Sequence, residues 1–157
     1  MVFRSILVAV DGSPAAKKAL EEAIDIARAD GARLTLISVA SRPRWPISMG
    51  PYAMPLLTDS DLERQAEEIL DRALELVPDD VPVSTFLGRG PVANAILNRV
   101  EAACHDLVVM GSRGLGPAGR LVLGSVSRAV FAESPVPVLI ARAEQAQADD
   151  TALAGAT

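Results

Sequence analysis

Five short apolar runs rich in Val, Ile and Leu recur along the chain, at residues 5–10, 33–39, 83–87, 107–110 and 137–141. Each is too short and too uniformly apolar for an amphipathic helix. The first suits a strand buried on both faces, as in a parallel sheet, and the other four read as further strands. The stretches between them carry apolar residues at helical spacing. Residues 14–30 place Ala16, Ala19, Leu20, Ala23, Ile24 and Ala27 on one face and Lys17, Lys18, Glu21, Glu22, Asp25 and Arg28 on the other. Strand, helix, strand with short links is a right-handed βαβ unit. Its repetition predicts an α/β fold, an open, doubly wound, Rossmann-like parallel sheet of five strands with four helices. Half the residues are hydrophobic but only 3% are aromatic, so the core is built from Ala, Val, Leu and Ile. At 157 residues one domain is expected over 1–142, with a disordered tail at 143–157.

Local signals set the element ends. Ser13 and Pro14 read as the N-cap and first position of the first helix, and Gly31 as its stop. Thr58, Asp59 and Ser60 offer several caps for the second helix, and Ser60-x-x-Glu63 matches a capping box. That helix turns Leu62, Ala66, Ile69, Leu70, Ala73, Leu74 and Val77 inward. The third helix turns Val92, Ile96, Leu97 and Val100 inward. Residues 41–57 hold four prolines together with Trp45 and Tyr52, which predicts an irregular loop. Its aromatic residues suit packing over a ligand, over a partner subunit or against their own domain.

Composition narrows the function classes. The net charge of −5 and the lack of a basic stripe argue against nucleic-acid binding. One cysteine, Cys104, excludes an internal disulfide framework and reads as a small core residue. The N-terminus does not read as a signal peptide, and no run reaches the length of a membrane span. The expectation is a soluble, cytoplasmic protein without a membrane partner. The lone histidine, His105, stands just before the fourth strand without a partner set for nucleophilic catalysis. No protein-only metal site is expected.

Two strand ends carry unusual sequence. After the first strand comes Val10-Asp11-Gly12-Ser13. After the fourth comes a glycine-rich stretch from Met110 to Ser125, which holds five of the chain's 11 glycines. Glycine at that density marks backbone that approaches something closely or adopts positive φ. Free N–H groups followed by a helix N-terminus suit a phosphate. Ligands of open parallel sheets bind beyond the carboxyl ends of the strands, where strand order reverses. If strands one and four are neighbours, both loops open into one crevice. Asp11 would then hydrogen-bond a ribose hydroxyl, or assist a metal ion carried by the nucleotide. Val39, ending strand two, would offer backbone groups to a base. Arg113 and Arg120 lie within the loop and suit either a phosphate or solvent.

The pattern Gly111-x2-Gly114-x9-Gly124-Ser125 resembles the ATP-binding signature of the universal stress protein family. The opening Ile6-Leu7-Val8-Ala9-Val10-Asp11-Gly12-Ser13, the run Asp106-Leu107-Val108-Val109-Met110-Gly111 and the run Pro135-Val136-Pro137-Val138-Leu139-Ile140 resemble its first, fourth and last strands. The resemblance spans residues 3–142. It implies the strand order 3-2-1-4-5 and binding of ATP, with Mg2+ as a companion of the nucleotide. It places Asp11 and Gly12 near the ribose and Val39 near adenine. Met110, Gly111, Ser112, Arg113, Gly114, Leu115, Gly116, Gly124 and Ser125 would hold ribose and phosphates. It also implies a homodimer through the last strand, between Val136 and Ala141. A non-enzymatic sensor or adaptor in a stress response is the first reading. A binder of cyclic AMP or AMP, a slow ATPase and a nucleotide-free dimeric interaction protein are the alternatives.

Overall fold

The structure is a computed structural model, and it describes residues 1–42, 57–112 and 123–143. Strands and helices alternate: β1 (Ser5–Ala9), α1 (Pro14–Asp30), β2 (Arg33–Ala40), α2 (Asp59–Glu75), β3 (Val83–Arg89), α3 (Val92–Ala102), β4 (Leu107–Gly111), α4 (Ser125–Glu133) and β5 (Val138–Ala141). The sheet order is β3-β2-β1-β4-β5 with every pair parallel. The chain grows outward from β1 to β3, then crosses back to place β4 on the other side of β1. Loops after β1 and β4 therefore part to opposite faces, which leaves a crevice between them.

The sheet is buried on both faces by the alternation of side chains. Ile6 pairs with Leu34 and Leu107, and Val8 with Leu36 and Val109, all on one face. There α1 supplies Ala19, Leu20 and Ala23, and α2 supplies Leu70 and Ala73. Leu7, Ile37, Val108 and Met110 point to the other face, against Ile96 and Val100 of α3 and Val130 of α4. Full burial of one such Leu or Ile is worth about 1.5–3 kcal/mol. The amino ends of the strands are tied by carboxylates. Asp106 accepts from the amides of Arg4 (2.8 Å) and Ser5 (3.0 Å), and Asp30 from that of Phe3 (2.7 Å).

The cap of α1 matches the sequence: Ser13 Oγ accepts from Ala16 N at 3.2 Å, and Gly31 ends the helix at φ 68°. That of α2 uses one of the caps the sequence offers, but not the Ser60–Glu63 box. Thr58 is the N-cap and Asp61 closes the capping box, which puts Ser60 inside the helix. Leu74 is exposed rather than inward, because it falls past the edge of the apolar stripe on α2. Gly124 is the N-cap of α4, so Ser125 is its first residue and not its cap. Cys104 is also misplaced by the sequence reading. It lies beyond α3 at φ 53°, where the chain turns into β4, and its side chain is exposed. The loop of residues 43–56, with Trp45 and Tyr52, and the tail of residues 144–157 lie outside the described residues. Among the described residues, no helix is long and apolar enough to cross a membrane.

Candidate functional site

A cleft of about 680 Å³ opens beyond the carboxyl ends of β1, β2 and β4. Of the residues singled out in the sequence, Asp11, Val39, Met110, Gly111 and Ser125 line it. Gly12, Ser112 and Gly124 are chain neighbours of lining residues. Arg113, Gly114, Leu115, Gly116 and Arg120 lie outside the described residues.

The turn after β1 is built around Asp11 and Gly12. Asp11 Oδ1 accepts from Ser13 N at 2.9 Å, a side-chain turn that presents the carboxylate at the cleft rim. Gly12 takes φ 80°, which a side chain would resist. Ile69 of α2 lies above it, 3.7 Å from where a Cβ would stand.

Across the cleft, Gly111 and Ser112 carry structural duties. A Cβ on Gly111 would lie 2.6 Å from the Ala15 carbonyl carbon and 2.7 Å from Ala16 N. The missing side chain lets α1 seat against β4. The Gly111 carbonyl accepts from Ser127 Oγ at 3.0 Å, and the Ser112 amide donates to Ala141 O at 2.8 Å. That amide is committed to β5, so it is not a free donor for a ligand. The buried Ser127 had no signal in the sequence, because its partner is 16 residues away in the chain.

The helices divide by their caps. α1 and α2 are capped by Ser13 and Thr58. α3 and α4 begin after Pro91 and Gly124 without a side-chain cap. Val92, Ala93 and Asn94 at the head of α3, and Ser125, Val126 and Ser127 at the head of α4, line the cleft. Helix starts carry unpaired N–H groups and a partial positive charge. Two of them on one cleft make it receptive to an anion.

Two ion pairs hold the start of α2 to the rim. Arg42 reaches Asp59 at 2.7 Å and the Leu57 carbonyl at 3.4 Å, and Arg89 reaches Glu63 at 2.7 Å. The Arg89 guanidinium holds the Glu63 carboxyl below its usual range. Between these pairs lies a second cavity of about 520 Å³.

His105 is far from this chemistry. It is buried at the amino end of β4, with Nδ1 2.9 Å from Ser5 Oγ. Burial lowers its pKa, and the charges of Arg99 and Arg33 add to that. Among the described residues, no group of three or more His, Cys, Asp or Glu side chains is placed to hold a metal ion.

Comparison with known proteins agrees with this architecture. The model of the universal stress protein family matches residues 3–142. A universal stress protein of Thermus aquaticus, named for its place in a QAH/OAS sulfhydrylase 3′ region, is 41% identical over 143 residues, covering 90% of this chain and all of the relative. A universal stress protein solved in complex with cAMP superposes with a TM-score of 0.63 at 25% identity, covering 92% of this chain and 100% of that one. The universal stress protein of Archaeoglobus fulgidus in complex with dAMP superposes with a TM-score of 0.66 at 22% identity, over 90% and 99% of the two chains, and so shares the fold. On the family match and the close relative together, the chain belongs to the universal stress protein family.

Proposed function

We propose that this protein binds an adenine nucleotide, ATP, and acts without catalysis as a nucleotide-dependent sensor or adaptor in a cytoplasmic stress response. One observation carries the reading: the Asp11 turn and the uncapped start of α4 face one cleft across the β1–β4 switch point. The turn after β1 offers the Asp11 carboxylate, which suits ribose hydroxyls. The α4 end offers N–H groups, which suit phosphates. The β2 end brings Ile37 and Val39 beside the apolar residues of α2 and α3, which suits a base. Relatives with bound cAMP and dAMP support an adenine nucleotide as the ligand class. Mg2+ would arrive with the triphosphate, and Asp11 is the carboxylate among the described residues that lines the cleft. The reading is of binding without turnover, since among the described residues no side chain placed as a general base faces the α4 end.

The assembly proposed is a homodimer through β5. That strand ends the sheet, and Val138, Leu139 and Ile140 on it are only partly buried. An open apolar edge is a template for a second strand.

The test is calorimetry with ATP, preceded by mass spectrometry of gently purified protein to find any nucleotide retained. The variant Gly114→Ala with Gly124→Ala is the control. Gly124 takes φ −61° and ψ 164°, which alanine adopts freely, so that change alters the approach to the ligand and not the helix start. The expected result is measurable ATP binding that the variant loses. Equal ATP affinity in both proteins would sink the site, and no binding of any adenine nucleotide would sink the function.

A further inference from the structure

The base end of the cleft is walled from opposite faces of the sheet. α2 brings Leu62, Ala66 and Ile69, and α3 brings Val92, Ala93 and Ile96. Each helix adds one polar side chain to these apolar walls, Gln65 from α2 and Asn94 from α3. Both are exposed carboxamides, and neither has a hydrogen-bond partner among the described residues. Both are uncharged, which suits a nucleobase better than a phosphate.

From this juxtaposition we infer that Gln65 and Asn94 are specificity-determining residues that accept a hydrogen bond from the exocyclic amino group of a bound adenine. The inference rests on the adenine-nucleotide reading above. The ribose lies between base and phosphate in any nucleotide. With phosphates at the start of α4 and ribose at Asp11 after β1, the base reaches the end of β2, where these two helices meet the cleft. Apolar side chains enclose the faces of the ring there, and the carboxamides meet its polar edge. A carboxamide oxygen accepts from an amino group, and this pairing is what Asn and Gln offer adenine elsewhere.

The test is a cycle in which protein and ligand each lose one partner. AMP and purine riboside 5′-monophosphate, which lacks only the amino group, are titrated into the full-length protein and into Gln65→Leu with Asn94→Leu. Wild type is expected to favour AMP by about tenfold, the worth of one or two hydrogen bonds. The double variant should bind both ligands within about twofold of each other. Each single variant then shows which carboxamide makes the contact. Both positions are exposed, so the fold is retained, and circular dichroism of the variant checks it. A variant that keeps the wild-type preference for AMP overturns the inference while leaving the nucleotide site intact. A wild type that binds neither of these ligands nor ATP overturns the nucleotide reading itself.

Discussion

Gly111 of β4 sits so close to Ala15 of α1 that a Cβ on the glycine would stand 2.6 Å from the alanine's carbonyl carbon. The atoms in the way are backbone, which cannot rotate aside. Gly111→Ala is therefore expected to destabilise the protein by about 1–3 kcal/mol, the cost of forcing extra volume into a packed interface. Gly124→Ala, at an ordinary φ, should leave the unfolding midpoint nearly unchanged. Urea denaturation of the two variants checks this. Equal midpoints would mean that α1 shifts without cost and that Gly111 serves the ligand alone.

His105 makes stability depend on pH. Its imidazole is buried against Ser5, near the charges of Arg99 and Arg33, with Asp106 as a weaker opposing influence. Its folded pKa lies below the usual 6.5, so the unfolded chain takes up a proton first as pH falls. The stabilisation is complete above pH 6.5 and is lost as pH drops from there towards the folded value. Within that window the slope is at most about 1.4 kcal/mol per pH unit for one proton. Thermal melts between pH 7.5 and 5.5 should show it, and His105→Gln should flatten the curve. An unchanged pH profile in the variant would assign the effect to other groups.

The outer edge of β5 can be read from its inner one. Pro137 and Ala141 direct their carbonyls to Val108 N and Ser112 N of β4, at 3.0 and 2.8 Å. Strand alternation then turns the backbone groups of Val138 and Ile140 outward. Proline is tolerated on an edge strand where the N–H faces away from the sheet. Val138→Pro should leave the protomer folded and convert a dimer into a monomer in sedimentation velocity. A dimer that survives this change does not use the β5 edge.

The sheet was legible because β1 and β4 are short and apolar on both faces, a pattern with few other uses, and the remaining runs alternate with helical stretches. Ser13, Pro14 and Gly31 marked α1 because each has a local backbone reason to stand there. Thr58 stood among the candidate caps of α2, but its capping box went to the wrong pair because Thr58 with Asp61 and Ser60 with Glu63 both have the spacing. Only tertiary placement decided for Thr58, and it left Glu63 to Arg89. Cys104 looked like a core residue because it follows a helical pattern, yet the turn into β4 swings it outward. The cleft was half legible. Asp11 and Gly111 stand at strand ends, where a parallel sheet always places its ligand. Gln65 and Asn94 are ordinary polar residues in helices, and only the meeting of two layers gives them a role.

Arg42 has a consequence for how this fold can vary. It touches both the Leu57 carbonyl and Asp59, so one side chain ties the exit from β2 to the start of α2. Closing a longer excursion between two such anchored ends costs little, about 0.6 kcal/mol for each doubling of its length. Both ends of the stretch between β2 and α2 are set by one guanidinium. Its anchorage stands at the mouth of the cleft, where new sequence would meet whatever the cleft holds. A single scaffold could in this way be refitted to report to different listeners.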